Sequence, residues 1–340
     1  MFDHEENDLE RDVEASMRLF KRAMVGPAAE LEAADPKRVL LVLDGSSQDE
    51  SVVAAAAYLQ SQLGVQLQVL DLRSEFIIED PGAKDRGDAG EAPPKDAAAA
   101  PSPRAIGLKQ LLPDTQTLPA GEGPAYDRIC AAITEQTPDL VIVPCPFARD
   151  FESIGSDSAG TVIDVLLNRS PVPLLVIRRN DQPLEEATKE IAVVVGAECE
   201  SEARAAGWAL CLAAPRAQLT LSLVIDREQY ENMRALMDVI SPENSLDISQ
   251  LNDAMAESHA RLHASINKAA ASRNLKYRLQ PMAYEDAPPS VLSAARPMLV
   301  VLPTEKDDRY CQGFVQDRIR RSPHPVLVVP RKEPVVSQDE

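Results

Sequence analysis

The chain has 340 residues, of which 44% are hydrophobic but only 4% aromatic, and its formal net charge is −19. This length is enough for two domains that each bury a core, and the shortage of aromatic residues predicts cores built of Val, Leu, Ile and Ala. The negative charge argues against nucleic acid and anionic membranes as partners. The short basic clusters Arg178-Arg179 and Arg318, Arg320, Arg321 fall at element ends, where we expect solvated cations.

The sequence also predicts the compartment. No stretch approaches the roughly 20 apolar residues of a membrane span, and the acidic N-terminus has no apolar run of signal-peptide length. The five cysteines are odd in number and widely spaced, which is typical of reduced thiols. We therefore expect a cytoplasmic protein that does not insert into membranes.

Residues 1–36 are predicted to form an N-terminal helix and a connector. Leu9, Val13, Met17, Phe20 and Met24 recur at steps of three and four, which indicates an amphipathic helix over 5–25. Two interpretations of its apolar stripe remain open. It packs on the first domain, or it docks a dimer partner or another protein.

From residue 37 onward, strands alternate with helices, which predicts a doubly wound parallel sheet of the α/β class. In a first domain, 37–180, we expect strands at 39–43, 65–72, 106–112, 140–143 and 174–177, and helices near 48–63, 123–136 and 160–168. Residues 79–103 are rich in Pro, Ala, Gly, Asp and Lys, and this composition predicts a disordered insert.

A second domain, 188–332, follows the same alternation, and a disordered tail is predicted at 333–340. The expected strands are 191–195, 219–225, 276–282, 298–302 and 326–329, and the expected helices lie near 200–213, 246–272, 287–295 and 312–321.

The two domains are a tandem repeat. Arg38–Gly45 (RVLLVLDG) corresponds to Glu190–Ala197 (EIAVVVGA), and Pro171–Arg178 (PVPLLVIR) corresponds to Pro323–Pro330 (PHPVLVVP). Both pairs are 152 positions apart, since 190 − 38 and 323 − 171 are equal. A repeat of this length indicates a duplicated domain rather than a solenoid unit.

The last strand of each domain, 174–177 and 326–329, is predicted to lie at a sheet edge. An exposed edge presents unpaired main-chain groups and invites another strand. We therefore expect the two domains to face each other as a pseudo-dimer. A homodimer through strand 174–177, through strand 326–329 or through the N-terminal helix is a further expectation.

Three motifs resemble the universal stress protein family. They are VLDGS at 42–46, PDLVIV at 138–143, and Gly160-Thr161 followed by PVPLLVI at 171–177. The resemblance covers most of 37–180 and, more weakly, 188–332. It implies a five-stranded α/β fold of the HUP-like type, dimerisation through the last strand and, in one branch, ATP binding.

In that ATP-binding branch, an Asp at the end of the first strand contacts the nucleotide, and a loop of the form Gly-x2-Gly-x9-Gly-Ser/Thr wraps the phosphates. Asp44 matches the Asp and Gly160-Thr161 match the final pair, whereas the two earlier glycine positions are Phe147 and Asp150. The resemblance thus implies a candidate site for ATP with Mg²⁺ at Asp44, Gly45, Ser46, Gly155, Ser156, Ser158, Gly160 and Thr161.

Other features of the same positions argue against the nucleotide. Asp150, Glu152 and Asp157 place three carboxylates in the loop, and these repel a triphosphate unless Mg²⁺ intervenes. In the second domain Gly196 stands where Asp44 stands, and Phe314 takes the hydroxyl position.

We therefore expect a non-enzymatic stress-response or regulatory protein that acts through protein partners and has degenerate nucleotide pockets. The alternative is an ATP-binding switch that uses the first pocket.

Two further features suggest chemistry only weakly. His259 and His263 have the i, i+4 spacing of a shared metal but no third ligand by sequence, so a solvated helical face is expected. Cys145, between two prolines, is either a reactive thiol or a small apolar filler. The sequence predicts no catalytic residue and no metal site.

Overall fold

The structure is a computed structural model that describes residues 30–73, 115–149, 159–179, 181–196, 201–240, 248–285, 296–305 and 309–332. The predictions for 5–25, 79–103, 106–112, 287–295 and 333–340 fall wholly or mainly outside these residues and stay predictions. We call 30–179 the first half and 181–332 the second half.

The elements of the first half are β1 (Arg38–Leu43), α1 (Asp49–Leu63), β2 (Gln66–Asp71), β3 (Gln116–Leu118), α2 (Ala125–Gln136), β4 (Leu140–Pro144), α3 (Thr161–Arg169) and β5 (Leu174–Ile177). Those of the second half are α4 (Leu184–Ala187), β6 (Glu190–Val195), α5 (Glu202–Leu212), β7 (Gln218–Asp226), α6 (Arg227–Ile240), α7 (Ile248–Ser258), α8 (Ala260–Ser272), β8 (Lys276–Glu285), β9 (Leu299–Thr304), α9 (Arg309–Arg321) and β10 (Val326–Pro330).

All ten described strands form one sheet, in the order β3-β2-β1-β4-β5-β10-β9-β6-β7-β8. Within each half every neighbouring pair is parallel. At the junction β5 and β10 are antiparallel, with Val326 opposite Val176 and Val328 opposite Leu174. The order of one half is the mirror of the other, so the expected α/β fold and the pseudo-dimer are both confirmed.

The junction corrects one prediction. Leu174–Ile177 and Val326–Pro330 were expected to offer edges for a homodimer, but each strand has the other as its neighbour. β5 also pairs with β4, and β10 also pairs with β9, so both main-chain edges of each strand are occupied. Homodimerisation by strand addition at either position is therefore wrong, because no unpaired edge remains there.

Helices cover both faces of the sheet, which explains why its central strands are continuous apolar runs. Along β1, Val39, Leu41 and Leu43 belong to an apolar layer on what we call the α1 face, which also carries α1, α5 and α8. Leu40 and Val42 point to the α2 face, which carries α2, α3 and α9. Each of these two apolar layers includes residues of both halves, so the halves share their cores.

Polar contacts reinforce the junction. Arg178, directly after β5, is fully buried and donates from Nη1 to the carbonyl oxygen of Ile319 near the end of α9. On the other face, Tyr58 and Thr188 share a hydrogen bond of 2.7 Å between their hydroxyl oxygens. The expectation of solvated cations is therefore wrong for Arg178 and for Arg318, which is also buried.

Three helices differ from the sequence expectation. The helix predicted over 246–272 is interrupted at His259, which is the N-cap of α8. There the Ser258 hydroxyl donates to the carbonyl oxygen of Met255, and such local side-chain bonds compete with helical ones. Helices α4 and α6 were not predicted. Among the described helices, none has the length and apolar character that crossing a membrane requires.

The connector crosses the second half before it enters β1. Leu31 and Ala34 pack on the apolar layer of the α1 face, and the carbonyl of Glu32 lies against Gly207 in the middle of α5. A Cβ at Gly207 would lie 1.7 Å from that carbonyl oxygen. Gly207 therefore permits a backbone-to-helix contact that no other residue would allow.

We predict opposite effects of the same substitution at two helical glycines. Gly207→Ala is expected to lower the free energy of unfolding, because the new methyl group displaces the connector. Gly313→Ala in α9 meets nothing within 4 Å, so it should raise that free energy by about 0.5–1 kcal/mol through helix propensity. Urea titrations of both variants test this, and a stabilised Gly207→Ala variant would show that the connector is not seated on α5.

Candidate functional site

The candidate site lies at the carboxyl edge of the first half, where β1 and β4 end side by side. Ligands of open parallel sheets bind at this edge, in the crevice between neighbouring strands. Asp44 directly follows β1, and Cys145 to Arg149 directly follow β4.

Asp44 is buried, and it joins the two loops that border the crevice. Its Oδ1 accepts a hydrogen bond of 2.8 Å from the backbone N–H of Ser46, and its Oδ2 accepts one of 2.5 Å from the backbone N–H of Ala148. Ala148 has a φ of 56°, a left-handed conformation that turns its N–H toward the carboxylate. Asp44 thus forms the expected turn after β1 and also fixes the loop after β4.

Asp49, in the first turn of α1, is a second carboxyl group at the same place. It accepts hydrogen bonds from the backbone N–H of Asp44 (3.2 Å) and of Gly45 (3.0 Å). Burial, with the adjacent charge of Asp44, raises the pKa of Asp49 to about 7. Sequence analysis missed this residue, although an acid in the first turn of a helix is a recognisable N-terminal signal.

Asp71 and Arg73, at the end of β2, cover the outer side of Gly45. Arg73 donates to Asp71 from Nε at 2.8 Å and from Nη2 at 2.5 Å. Burial alone would raise the pKa of Asp71, but the hydrogen bonds from Arg73 outweigh it and lower that pKa. The Arg73 side chain lies 3.7 Å from the Cβ position of Gly45, so this cation beside the crevice is already paired.

Two buried polar atoms in the turn after β1 have no hydrogen-bond partner within the described part of the chain. They are the hydroxyl of Ser46 and the side-chain Nε2 of Gln48, and both residues are almost fully buried. Leaving such groups unpaired costs free energy, and each calls for an explanation such as a water or a ligand. Ser46 was predicted as a site residue, whereas Gln48 was not.

Gly160 and Thr161 lie across the crevice. Gly160 is the N-cap of α3, beside the backbone of Phe147, and Thr161 is the exposed first residue of that helix. The structure therefore places Gly160 and Thr161 at a helix N-terminus, as expected for an anion site. Gly155, Ser156 and Ser158 lie outside the described residues, and their role stays a prediction.

Of the two roles considered for Cys145, a reactive thiol or a small apolar filler, the structure supports the apolar filler. It is fully buried, and its Sγ lies 3.4 Å from the carbonyl oxygen of Ala159 as a hydrogen-bond donor. Burial raises the pKa of its thiol to about 12. A thiol held neutral in this way is not a nucleophile at neutral pH.

In the second half, an aromatic ring fills the position that corresponds to the Asp44 carboxylate. A Cβ at Gly196 would lie 2.7 Å from the ring of Phe314, and the Arg318 guanidinium lies 4.7 Å from the centre of that ring. The segment from the end of the fourth strand to the end of the following helix is also shorter. Counted from the corresponding prolines of these strands, Arg321 is 18 positions after Pro303, whereas Arg169 is 25 positions after Pro144.

The two histidines are not a solvated face, and that expectation is wrong. His259 is buried where α8 begins, with Nδ1 3.0 Å from the carbonyl oxygen of Met255 and Nε2 3.5 Å from the Glu202 carboxylate. His263 forms a hydrogen bond of 2.9 Å with the hydroxyl of Tyr277. Among the described residues, no cluster of three or more His, Cys, Asp or Glu side chains is placed to hold a metal.

The raised pKa of Asp49 predicts a pH-dependent stability. Its folded-state pKa of about 7 exceeds the unfolded value of 3.8, so the folded chain keeps a proton that the unfolded chain releases. The free energy of unfolding therefore falls as the pH rises through this window. Asp49→Asn removes the titration and should gain stability relative to the wild type from about pH 5 to about pH 8.

Urea titrations across that range measure the difference between the two proteins. Glu50→Gln is the matched control, because it removes one negative charge from the same helix end without changing the buried pair. A difference between Asp49→Asn and wild type that stays constant with pH contradicts the assignment.

Gly196 and Phe314 should behave as a coupled pair. Gly196→Ala is expected to destabilise the chain, because its methyl group overlaps the ring, and Phe314→Ala should relieve most of that loss. We expect a coupling free energy of about 1–3 kcal/mol in a double-mutant cycle measured by urea unfolding. Additive effects would show that the ring does not fill the Gly196 position.

Comparison with known proteins agrees with this geometry. The profile of the universal stress protein family matches residues 36–178. A universal stress protein from Archaeoglobus fulgidus DSM 4304 superimposes over 89% of this chain and 97% of its own, with a TM-score of 0.51 and 15% identity. A functionally unknown protein from Pseudomonas aeruginosa PAO1 superimposes over 87% and 93%, with a TM-score of 0.52 and 12% identity.

At these identities the structural likeness shows the fold alone, and no curated protein matches the chain in sequence. The family profile rests on the first half, which contains the crevice with Asp44 and Gly160. Residues 36–178 of this chain are therefore a domain of the universal stress protein family.

Proposed function

We propose that this protein is a non-enzymatic regulator that acts through protein partners, and that its two pockets are degenerate nucleotide sites. The second half is, on this proposal, a diverged copy of the first. The observation that carries the proposal is the engagement of Asp44, whose two carboxylate oxygens accept backbone N–H groups of the protein itself. A nucleotide that used Asp44 would have to compete with these bonds.

The charges around the crevice support the same conclusion. Asp44, Asp49 and Asp71 bring three carboxyl groups to the ends of β1 and β2, and the cation beside them, Arg73, is bound to Asp71. A triphosphate entering here would be repelled by Asp44, and also by Asp49 once the pH exceeds its pKa of about 7. The setting is partly desolvated, so these charges interact more strongly than in water. The site therefore favours closure by its own residues over a polyanion.

The tandem origin is supported by a turn that recurs at the same offset. In the first half, the Ser170 hydroxyl donates to the carbonyl oxygen of Val172 and accepts from its N–H. In the second half, the Ser322 hydroxyl makes the same two bonds with His324. Both turns have the sequence Ser-Pro-x-Pro and lead into the strands that form the junction, so the copies share sequence and local structure here.

One observation favours the alternative, an ATP-binding switch in the first half. The Ser46 hydroxyl and the Gln48 amide nitrogen are buried without a partner among the described residues. Both groups hydrogen-bond readily to a ribose or a base. An ATP site would gain these two contacts, although it would still have to displace the Ala148 N–H from Asp44.

Thermal unfolding with and without Mg-ATP separates the two functions. We expect no change in midpoint at about 5 mM Mg-ATP, whereas a dissociation constant of about 50 μM would stabilise the folded state by about 2.7 kcal/mol at that concentration. Native mass spectrometry of the purified chain should likewise show no retained nucleotide.

Two Asp→Asn variants make the result specific. Asp44→Asn alters the site. Asp139→Asn alters a carboxylate that accepts the N–H groups of Lys37 and Arg38 at the opposite end of β1. A stabilisation by Mg-ATP that Asp44→Asn abolishes and Asp139→Asn preserves would overturn the degenerate-site proposal and establish the switch.

A further inference from the structure

Helix α6 projects from the second half with an apolar stripe that faces solvent. Tyr230 in its first turn is buried, but residues 231–236 are all exposed, including Met233 at 38% and Leu236 at 59% of their surface. Tyr230, Met233 and Leu236 succeed one another at intervals of three, so they lie along one side of the helix. Met233 and Leu236 are two of the large apolar side chains that the described residues expose, and their position one turn apart makes this side of α6 the candidate docking surface.

The contacts of the connector, residues 30–37, define the direction in which it runs along α5. The backbone carbonyl of Glu32 lies against Gly207. Burial lowers the pKa of Arg204 in the first turn of α5, and the charge of Glu32 opposes that shift. Burial raises the pKa of the Cys211 thiol in the last turn of α5, and the charges of Asp35 and Lys37 also affect that pKa. The connector therefore runs along α5 from its amino end to its carboxyl end. Followed backward from Lys37, the connector therefore heads toward the amino end of α5 at Glu30, where the described residues begin.

That end of α5 lies at the same edge of the sheet as α6. Helix α5 follows β6, α6 follows β7, and these two strands are parallel neighbours. Neighbouring strands are about 4.8 Å apart. The residues between Met24 and Glu30 can extend about 20 Å, so the N-terminal segment can reach α6 within the same chain.

The N-terminal segment also has a complementary surface. Its predicted stripe from Leu9 to Met24 would be about 22 Å long as a helix, and the 14 residues of α6 are about 21 Å long. We propose that residues 5–25 dock as an amphipathic helix on the apolar stripe of α6, at Met233 and Leu236, in the same chain. A short tether favours this occupant over a second copy, because it holds the segment at an effective concentration in the millimolar range.

Hydrogen exchange of α6 in the full chain tests the proposal with matched variants. Met17→Asp places a charge on the N-terminal stripe, and Ala15→Asp places the same charge on the opposite side of that helix. Leu236→Asp and Ala235→Asp form the equivalent pair on α6. We expect amide exchange in α6 to accelerate about tenfold or more in Met17→Asp and Leu236→Asp, and to stay at the wild-type rate in the two Ala→Asp variants.

Three outcomes would overturn the proposal. The first is an exchange rate in α6 that Met17→Asp leaves unchanged. The second is equal acceleration by both members of a pair, which indicates a general effect of charge. The third is protection of α6 that depends on protein concentration and accompanies a dimer mass in sedimentation, which assigns the stripe to a second copy. Unchanged exchange in β1 and β6 shows that each variant is folded.

Discussion

The antiparallel pairing of β5 with β10 is the constraint on which the rest of this structure depends. Each half ends in an apolar strand whose outer main-chain edge would otherwise be exposed, and the two edges satisfy each other. The pairing makes both apolar layers common to the two halves and brings α3 against α9. Because the strands run in opposite directions at the junction, the two pockets lie at opposite edges of the sheet and cannot share one ligand.

The same junction explains the buried arginine. Arg178 stands where the first half meets the end of α9, and burial lowers the pKa of its guanidinium. Its partner there is the carbonyl oxygen of Ile319, in the last turn of α9, where the helix dipole favours a positive charge. The cation is therefore buried at the point where the two halves meet.

The two pockets are closed by different means. In the first half, the Asp44 carboxylate holds the loop after β4 by accepting a hydrogen bond from the Ala148 N–H. In the second half the carboxylate is absent at Gly196, and the Phe314 ring occupies the space with a shorter segment around it. On the proposed function, a duplicated pocket is filled by polar contacts in one copy and by apolar contacts in the other.

The sequence by itself determined the class of fold, the duplication and the positions of most central elements. Continuous apolar runs such as Val39–Leu43 indicate strands buried on both faces. The constant offset of 152 positions between the repeated segments can be read directly from the sequence. It also identified Asp44 and Thr161 and the loss of both in the second half, at Gly196 and Phe314, because these are properties of single positions in a motif.

Only the tertiary structure decided the environment of those positions. Arg73 became part of the site because the ends of β1 and β2 lie side by side, and sequence separation does not show that. Gln48 and Asp49 are close to Asp44 in sequence, but their burial depends on the fold. Arg178 and His259 were expected in solvent but are buried, because the elements that cover them, α9 and α5, belong to distant parts of the chain. Local patterns specify helices and strands, whereas burial, charge and hydrogen-bond partners depend on which segments the fold brings together.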